Sequence, residues 1–183
     1  GEIRPTAIFY GPNRRVHIGY DARERCDTPE RLLEDFKIEL GQHDPDAVTK
    51  KSASTQHSPR MTVAGITQDF FRELLAKVNA SLELQGRPLP KNLLIAEPLA
   101  LSGIDMAEEN WLSNYRRAIK RILHGRFDQV DFLPEPFAVF QYYRYGLRHP
   151  VIAENRKHIA LVLDFGGGTF DISILRLTGG VFE

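Results

Sequence analysis

Residues 161–175 have the sequence LVLDFGGGTFDISIL, in which three consecutive glycines separate two apolar segments. The segment before the glycines, Ile159–Leu163, is continuously apolar, as in a buried strand. After them, apolar and polar residues alternate from Phe170 to Leu175. A period near two is typical of a β-strand, whereas a helix has a period of 3.6 residues. The segment therefore predicts two strands joined by a glycine turn, which is a β-hairpin.

The glycine turn has the composition of a phosphate-binding loop. Consecutive glycines permit positive φ and allow backbone N–H groups to converge on an anion. A Walker loop is excluded because no Lys followed by Ser or Thr comes after the last glycine. A Rossmann loop requires a helix next, and the alternation after the turn is that of a strand. We therefore predict that the turn itself holds phosphate, through Gly166, Gly167, Gly168 and Thr169.

Two carboxylates flank this turn. Asp164 ends the entering strand, where it can hold Mg²⁺ directly or through water, and Thr169 offers a hydroxyl and an N–H to phosphate oxygens. Asp171 can order a metal-bound or attacking water. Phosphoryl transfer requires mainly such placement and charge neutralisation. A bare glycine triplet is more often an ordinary hairpin with solvent-facing aspartates, but the combined pattern is more specific and favours a phosphate bound together with Mg²⁺.

The N-terminal part of the chain predicts two short strands, a helix and a loop. Residues 6–10 and 15–19 flank a Gly-Pro-Asn turn, which favours a strand pair. A helix is predicted from Pro29 to Leu40, with Leu32, Leu33, Phe36 and Leu40 on one face, Thr28 as N-cap and Gly41 as its end. Residues 42–60 are polar and lack apolar periodicity, which predicts a mobile loop or a connection between subdomains.

The remainder alternates helix and strand. A helix capped by Thr67 is predicted to end near Gly86, with Phe71, Leu74, Leu75, Val78 and Leu82 as its apolar face. A buried strand at Asn92–Ala96 follows, then a capping box formed by Asp105 and Glu108. The next elements are a helix over 111–123 ended by Gly125, a strand at Gln129–Leu133 and a helix from Pro134 to Gly146. This order predicts an α/β sheet with helical crossovers.

Charge and cysteine content exclude some partners. Lys plus Arg and Asp plus Glu both total 24, so the formal net charge of zero gives no reason to expect a nucleic-acid or anionic-membrane partner. No apolar run approaches the roughly 20 residues that a membrane helix needs. Cys26 is the only cysteine, which excludes an internal disulfide and suits a reducing compartment. We therefore expect a cytoplasmic protein without nucleic-acid or membrane partners.

The segment around the glycine turn resembles the second phosphate loop of the seventy-kilodalton heat-shock chaperones, in which an Asp is followed by Gly-Gly-Gly-Thr-Phe-Asp. The resemblance extends in order along nearly the whole chain. Residues 133–143, LPEPFAVFQYY, are similar to the family segment with Asn-Glu-Pro and an Ala-rich helix, which matches Glu135 to the glutamate of the catalytic cleft. Residues 35–41 resemble Asp-Ala-Lys-Arg-Leu-Ile-Gly, which matches Lys37 to the lysine that approaches the γ-phosphate and positions the attacking water. Ala96–Pro98 resembles the Val-Pro element that relays nucleotide state.

This resemblance implies an incomplete ribonuclease-H-like, actin-like ATPase fold: a mixed sheet with flanking helices and a small upper subdomain. It implies three parts, namely an upper subdomain at 1–60, the main part of the first lobe at 61–156, and the opening phosphate-binding hairpin of the second lobe at 157–183. The resemblance also implies ATP or ADP with Mg²⁺ as ligands, and it makes Lys37, Glu135, Asp164 and Asp171 the expected catalytic residues. Unfolded polypeptide and co-chaperones become expected partners of the full-length protein.

The chain departs from the family in identifiable places. The first phosphate loop, Asp-x-Gly-Thr/Ser, is absent from the N-terminus, and the adenosine-contacting segments are expected beyond residue 183, so we expect the fragment alone to be inactive. Pro134 and Phe137 replace the usual Asn and Thr, and Glu97 stands where a small apolar residue is usual. Two other functions remain open: a small-molecule kinase of the same superfamily, and a nucleotide-binding scaffold without turnover.

Overall fold

The computed structural model of the chain divides into two compact units: Gly1–Lys91 with Asp105–Gln129, and Asn92–Ile104 with Val130–Glu183. The three-part division expected from the sequence stays a prediction. The structure describes residues 5–12, 15–27, 31–34, 36–42, 62–97, 110–146, 157–165, 170–178 and 181–182. The sequence predictions for Thr28 and Pro29, for the polar loop beyond Gln42 and for the Asp105–Glu108 capping box lie outside these residues.

The first unit begins with a three-stranded antiparallel sheet in the order β2-β1-β3. Strands β1, Ile8–Tyr10, and β2, Val16–Ile18, pair antiparallel, which confirms the predicted strand pair. A short helix that the sequence did not predict, α1, Tyr20–Arg25, follows β2. Leu32–Leu33 forms β3 and pairs with the other edge of β1.

The helix predicted over 29–40 is wrong in its described first part and at its end. Leu32 and Leu33 are in β3, and helix α2 runs from Phe36 to Gln42, so that Gly41 lies inside the helix and does not end it. Two adjacent leucines fit a helix face or a strand equally well. The open edge of β1, which is distant in sequence, selects the strand.

Helix α3, Val63–Leu84, is the long helix of the first unit. Its N-cap is Thr62, whose Oγ1 accepts the N–H of Gly65 at 3.0 Å. The prediction of Thr67 as N-cap is wrong: Thr67 is buried inside the helix and donates its hydroxyl to the Val63 carbonyl at 2.8 Å. The end near Gly86 is confirmed, and Gly86 has φ +65°. The buried residues lie in the first two turns, at Val63, Ile66, Thr67 and Phe70.

Helix α4, Trp111–Ile122, confirms the predicted amphipathic helix and completes the first unit. Its core-facing residues Trp111, Tyr115, Ala118 and Ile119 are buried, as is Leu123 just after the helix. Gly125 follows with φ +76°, a conformation that glycine adopts at no steric cost. The α2 helix packs against both α3 and α4.

The second unit contains two small sheets and one helix. Strands β4, Asn92–Glu97, and β5, Gln129–Pro134, are neighbours in a two-stranded sheet, which confirms both predicted strands. Leu94 is 60% exposed, so β4 is not the fully buried strand that its composition indicated. The remaining elements are helix α5, Glu135–Gln141, a π-helical turn at Tyr142–Gly146, and strands β6, His158–Phe165, β7, Phe170–Thr178, and β8, Val181–Phe182.

Both units therefore combine helices with β-structure, as the sequence pattern indicated. Among the described residues, no helix combines the length and apolar character needed to cross a bilayer.

A polar chain connects β2 to α1. Asp21 accepts a hydrogen bond from Arg25 at 2.6 Å through Oδ1, and its Oδ2 lies 2.7 Å from Nδ1 of the buried His17. The hydrogen bond from Arg25, followed by that with His17, lowers the pKa of Asp21 to about 2. This carboxylate therefore stays ionised well into the acid range.

We expect Asp21→Asn to lower the free energy of unfolding at pH 7 by about 1 kcal/mol or less, because the side chain is 39% exposed and solvent screens the ion pair. The native carboxyl has the lower pKa, so its contribution is complete above the ordinary value of 3.8 and is lost as the pH falls toward about 2. Urea unfolding of both proteins from pH 7 to pH 2.5 measures the difference. A difference that stays constant over this range would contradict the assignment.

Candidate functional site

The glycine turn joins two antiparallel strands. Strands β6 and β7 pair continuously from His158↔Leu177 to Phe165↔Phe170. Strand β7 begins at Phe170, directly after the turn, so no helix follows it. The predicted strand-turn-strand arrangement is confirmed. The four connecting residues, Gly166–Thr169, lie outside the described part of the chain, and their predicted phosphate contacts stay predictions.

Asp164 and Asp171 are cross-strand partners, in the last pair but one before the turn. Directly opposed residues of an antiparallel pair have Cα atoms about 4.5–5.5 Å apart. The register places positions 164 and 171 on the same face of the hairpin as Val162 and Ser173, because residues two apart on a strand share a face. The backbone therefore brings the two predicted carboxylate positions together beside the glycine turn, although the structure does not describe their side chains.

Helix α5 anchors this hairpin. Phe140 forms a buried cluster with Val162, Leu175 and Leu177, and Phe137, Val139 and Ala160 pack around it. The helix begins at Glu135 because Pro136 fits the first helical turn, where its missing N–H costs no hydrogen bond. Glu135 is partly buried. The same unit therefore holds Glu135 and the backbone of both aspartates.

The opposite face of the hairpin is apolar and exposed. Its aliphatic side chains are between 50% and 75% exposed, and they are Ile159, Leu161, Leu163, Ile172 and Ile174. The prediction that the strand before the glycines is buried therefore holds for only one of its faces. A strand is buried along its whole length only where other elements cover both faces of its sheet.

Lys37 lies on α2, in the first unit, where it is partly buried. The helix that carries it is fixed by a contact that the sequence did not indicate: Trp111 Nε1 donates to the Ile38 carbonyl at 3.0 Å across 73 residues. No local pattern reveals such a contact. The only signal was the placement of Trp111 on the apolar face of a predicted helix.

A buried glutamate and a partly buried tyrosine lie elsewhere in the units. Glu97, at the end of β4, is fully buried. In the first unit, the Tyr10 hydroxyl donates to Asp69 Oδ2 at 2.9 Å, and burial, followed by the charge of Asp69, raises the pKa of Tyr10. Within the described ranges, no three His, Cys, Asp or Glu side chains are grouped to hold a metal ion.

Comparison with known proteins gives a family for this arrangement. The family model described as "Hsp70 protein" matches residues 138–183, which include the hairpin. Curated relatives match almost the whole chain, and the chain belongs to the Hsp70 family.

The relatives are described as chaperone protein HscA homologs. Those of Cupriavidus pinatubonensis and Methylobacillus flagellatus are 30% and 31% identical to the chain, and a third, of Vibrio cholerae, is 30% identical. Each alignment covers 99% of this chain and 28% of the relative. The chain therefore spans little more than a quarter of the length of the relatives it matches.

Proposed function

We propose that the chain is part of an ATP-binding and ATP-hydrolysing nucleotide-binding domain of a chaperone-like protein. The observation that carries the proposal is the β6–β7 hairpin, in which Asp164 and Asp171 face each other in register at the glycine turn. A Gly-rich hairpin between paired acidic positions suits a ligand that is both a phosphate and a metal complex. Membership of the Hsp70 family supports the same conclusion.

In this proposal the glycine turn binds phosphate. The N–H groups of Gly166, Gly167 and Gly168 point at the phosphate oxygens, and Thr169 adds its hydroxyl. Backbone N–H donors to an anion are charge-assisted hydrogen bonds and are about twice as strong as neutral ones. Phe165 and Phe170, on either side of the turn, are paired across the two strands.

The two aspartates fit a magnesium ion. Mg²⁺ prefers carboxylate and water oxygens and is commonly held through one or two carboxylates with the substrate phosphates. Asp164 and Asp171 would hold it through its waters, and the ion would neutralise charge on the phosphates. Asp171 would also orient the attacking water by accepting a hydrogen bond from it. These roles need two carboxylates at neighbouring positions, and the pairing of positions 164 and 171 across the two strands supports this assignment.

The remaining assignments rest on the family resemblance. Glu135, the first residue of α5, contributes a carboxylate to the cleft in which hydrolysis occurs. Lys37, on α2, approaches the γ-phosphate and positions the attacking water. A cation at the γ-phosphate stabilises the negative charge that develops on the transferred phosphoryl group. The complete domain has the actin-like ATPase fold, and the full protein couples nucleotide state to unfolded polypeptide and co-chaperones.

Calorimetric titration of the protein at its natural length tests the proposal. We expect saturable binding of ATP that weakens when Mg²⁺ is removed, together with slow release of phosphate. The variant that tests the turn is Gly167→Val, which places a branched side chain where the phosphate would lie. It should weaken ATP binding by about 10²-fold, equivalent to losing one or two charge-assisted hydrogen bonds. Absence of ATP binding at millimolar concentration would contradict the proposal, and binding without hydrolysis would indicate a scaffold.

A further inference from the structure

Helix α2 is held at both ends by aromatic side chains from two other helices. At its start, the Phe36 ring lies 5.5 Å from that of Phe70 on α3, centroid to centroid. At its end, Gly41 lies against Trp111, the first residue of α4. Lys37 is the second residue of this helix, between the two contacts. The direction in which Lys37 is presented is therefore set by how α2 is clamped.

The contact between Gly41 and Trp111 is closer than any other residue at position 41 permits. A Cβ atom at Gly41 would lie 2.1 Å from Cε2 of Trp111, whereas real Cβ atoms essentially never approach another heavy atom within 3.0 Å. The indole ring therefore occupies the space of a side chain on α2. Gly41 is required because of this ring, and its φ is not in the left-handed region.

Hydrogen bonds accompany the close approach. Trp111 Nε1 donates to the Ile38 carbonyl at 3.0 Å, and Asn114 Nδ2 lies 3.4 Å from the Gly41 carbonyl. The carbonyls in the last turn of a helix lack partners within the helix, so the bond from Asn114 satisfies one of them. Both donors come from the first turn of α4. They fix the rotation and the axial position of α2 together.

The tryptophan is itself immobile. Its ring is stacked on Tyr115, with centroids 5.0 Å apart and planes inclined by 10°. Trp111 is 6% exposed and Tyr115 is 4% exposed. A side chain that is buried, stacked on a neighbouring ring and hydrogen-bonded at its edge is restricted to one orientation, which is what a group that positions another residue needs.

We propose that Trp111, seated on Gly41, is a positioning residue for Lys37. Trp111 does not touch the substrate; it fixes the helix that presents the lysine to the γ-phosphate. This inference rests on the proposed function, in which Lys37 acts in hydrolysis. A shift of about 1 Å in a reacting group lowers turnover by as much as about 10²-fold.

The test is Trp111→Phe in the protein at its natural length, since phenylalanine keeps an aromatic ring but removes the N–H donor. We expect kcat for ATP hydrolysis to fall about tenfold while KM changes by less than about twofold, because the lysine acts on the transferred group and not on nucleotide binding. The matched control is Tyr10→Phe, which removes one aromatic donor from the same unit, at Asp69. It should leave kcat within about twofold while lowering the urea midpoint comparably.

A double-mutant cycle with Lys37→Ala separates positioning from a general loss of structure. If Trp111 acts through Lys37, Trp111→Phe has no further effect on kcat once the lysine is removed. Additive losses, or equal kcat losses in Trp111→Phe and Tyr10→Phe, would overturn the inference. If Lys37→Ala lowers kcat but Trp111→Phe does not, only this inference fails. If Lys37→Ala leaves kcat intact, the role of Lys37 fails together with this inference while ATP hydrolysis stands, and if the wild-type protein does not hydrolyse ATP, the hydrolytic part of the proposed function fails as well.

Discussion

Substitution of Gly41 by alanine should lower the free energy of unfolding by about 3 kcal/mol, near the upper end of what overpacking a core costs. The added methyl group would lie 2.1 Å from Cε2 and 2.3 Å from Cδ2 and Nε1 of Trp111. The ring cannot withdraw without losing its stacking on Tyr115 and its hydrogen bond to Ile38. Alanine in a helix is favoured over glycine by only about 1 kcal/mol, so the clash outweighs the gain in helix propensity.

Urea unfolding followed by intrinsic fluorescence measures this effect directly, because Trp111 is the only tryptophan of the chain. Displacement of the ring toward water should also move its emission to longer wavelength. Gly65→Ala is the matched control, since Gly65 is a helical glycine whose added Cβ would lie 3.2 Å from the Thr62 hydroxyl oxygen. We expect the control to change stability by less than about 1 kcal/mol, as the propensity gain offsets mild crowding. If Gly41→Ala is as stable as the wild type, the close contact between Gly41 and Trp111 does not exclude a side chain at position 41.

The same glycine explains why part of the first unit was mispredicted. A glycine after an apolar helical face ordinarily marks a helix end, so the pattern predicts the end of α2 at Gly41. In the structure the helix continues through Gly41 to Gln42, and the Trp111 ring occupies the space of the missing side chain. The deciding contact is made more than 70 residues away, as its hydrogen bond to Ile38 shows. A local pattern carries no trace of it.

The start of α3 was mispredicted for a different reason. Thr62 and Thr67 both precede apolar helical positions, and either satisfies the pattern of an N-cap. The structure selects Thr62 because its hydroxyl accepts the Gly65 N–H, whereas the hydroxyl of Thr67 donates back to a carbonyl inside the helix. The periodic stripe from Phe71 onward did predict a helix correctly, but burial is concentrated before it, and Val78 is 40% exposed. Periodicity identifies a helix and not how much of it is covered.

The hairpin could be predicted because all its determinants are local. The alternation after the glycines required a strand, whereas the register that opposes Asp164 and Asp171 was not predicted and is known only from the structure. Burial of the hairpin was only partly predictable, because the face containing Val162 and Leu175 packs against α5 while the opposite face is exposed. The roles of Lys37 and Glu135 came from family resemblance alone, because a lysine or a glutamate at a helix start has many uses.

Asp171→Asn should reduce the rate of ATP hydrolysis by the protein at its natural length by about 10²- to 10³-fold, the loss typical of one group that stabilises developing charge or orients the attacking water. Asparagine has nearly the same shape as aspartate but carries no charge, so its amide oxygen accepts only a weaker hydrogen bond from a metal-bound or attacking water and cannot take up a proton. The effect should appear in kcat and kcat/KM alike, since the interaction matters mainly in the transition state. Single-turnover hydrolysis measures the step itself, without product release.

The control for this variant is Ser173→Ala. Ser173 is a partly buried residue two positions after Asp171, on the same face of β7, and it lies outside the proposed site. Both variants should have a free energy of unfolding in urea within about 0.5 kcal/mol of the wild-type value, which is the range of ordinary surface substitutions. A loss confined to Asp171→Asn then reflects chemistry at the glycine turn and not the packing of the hairpin. Hydrolysis within threefold of wild type would remove Asp171 from the site, and a comparable loss in Ser173→Ala would show that strand geometry, and not the carboxylate, controls the reaction.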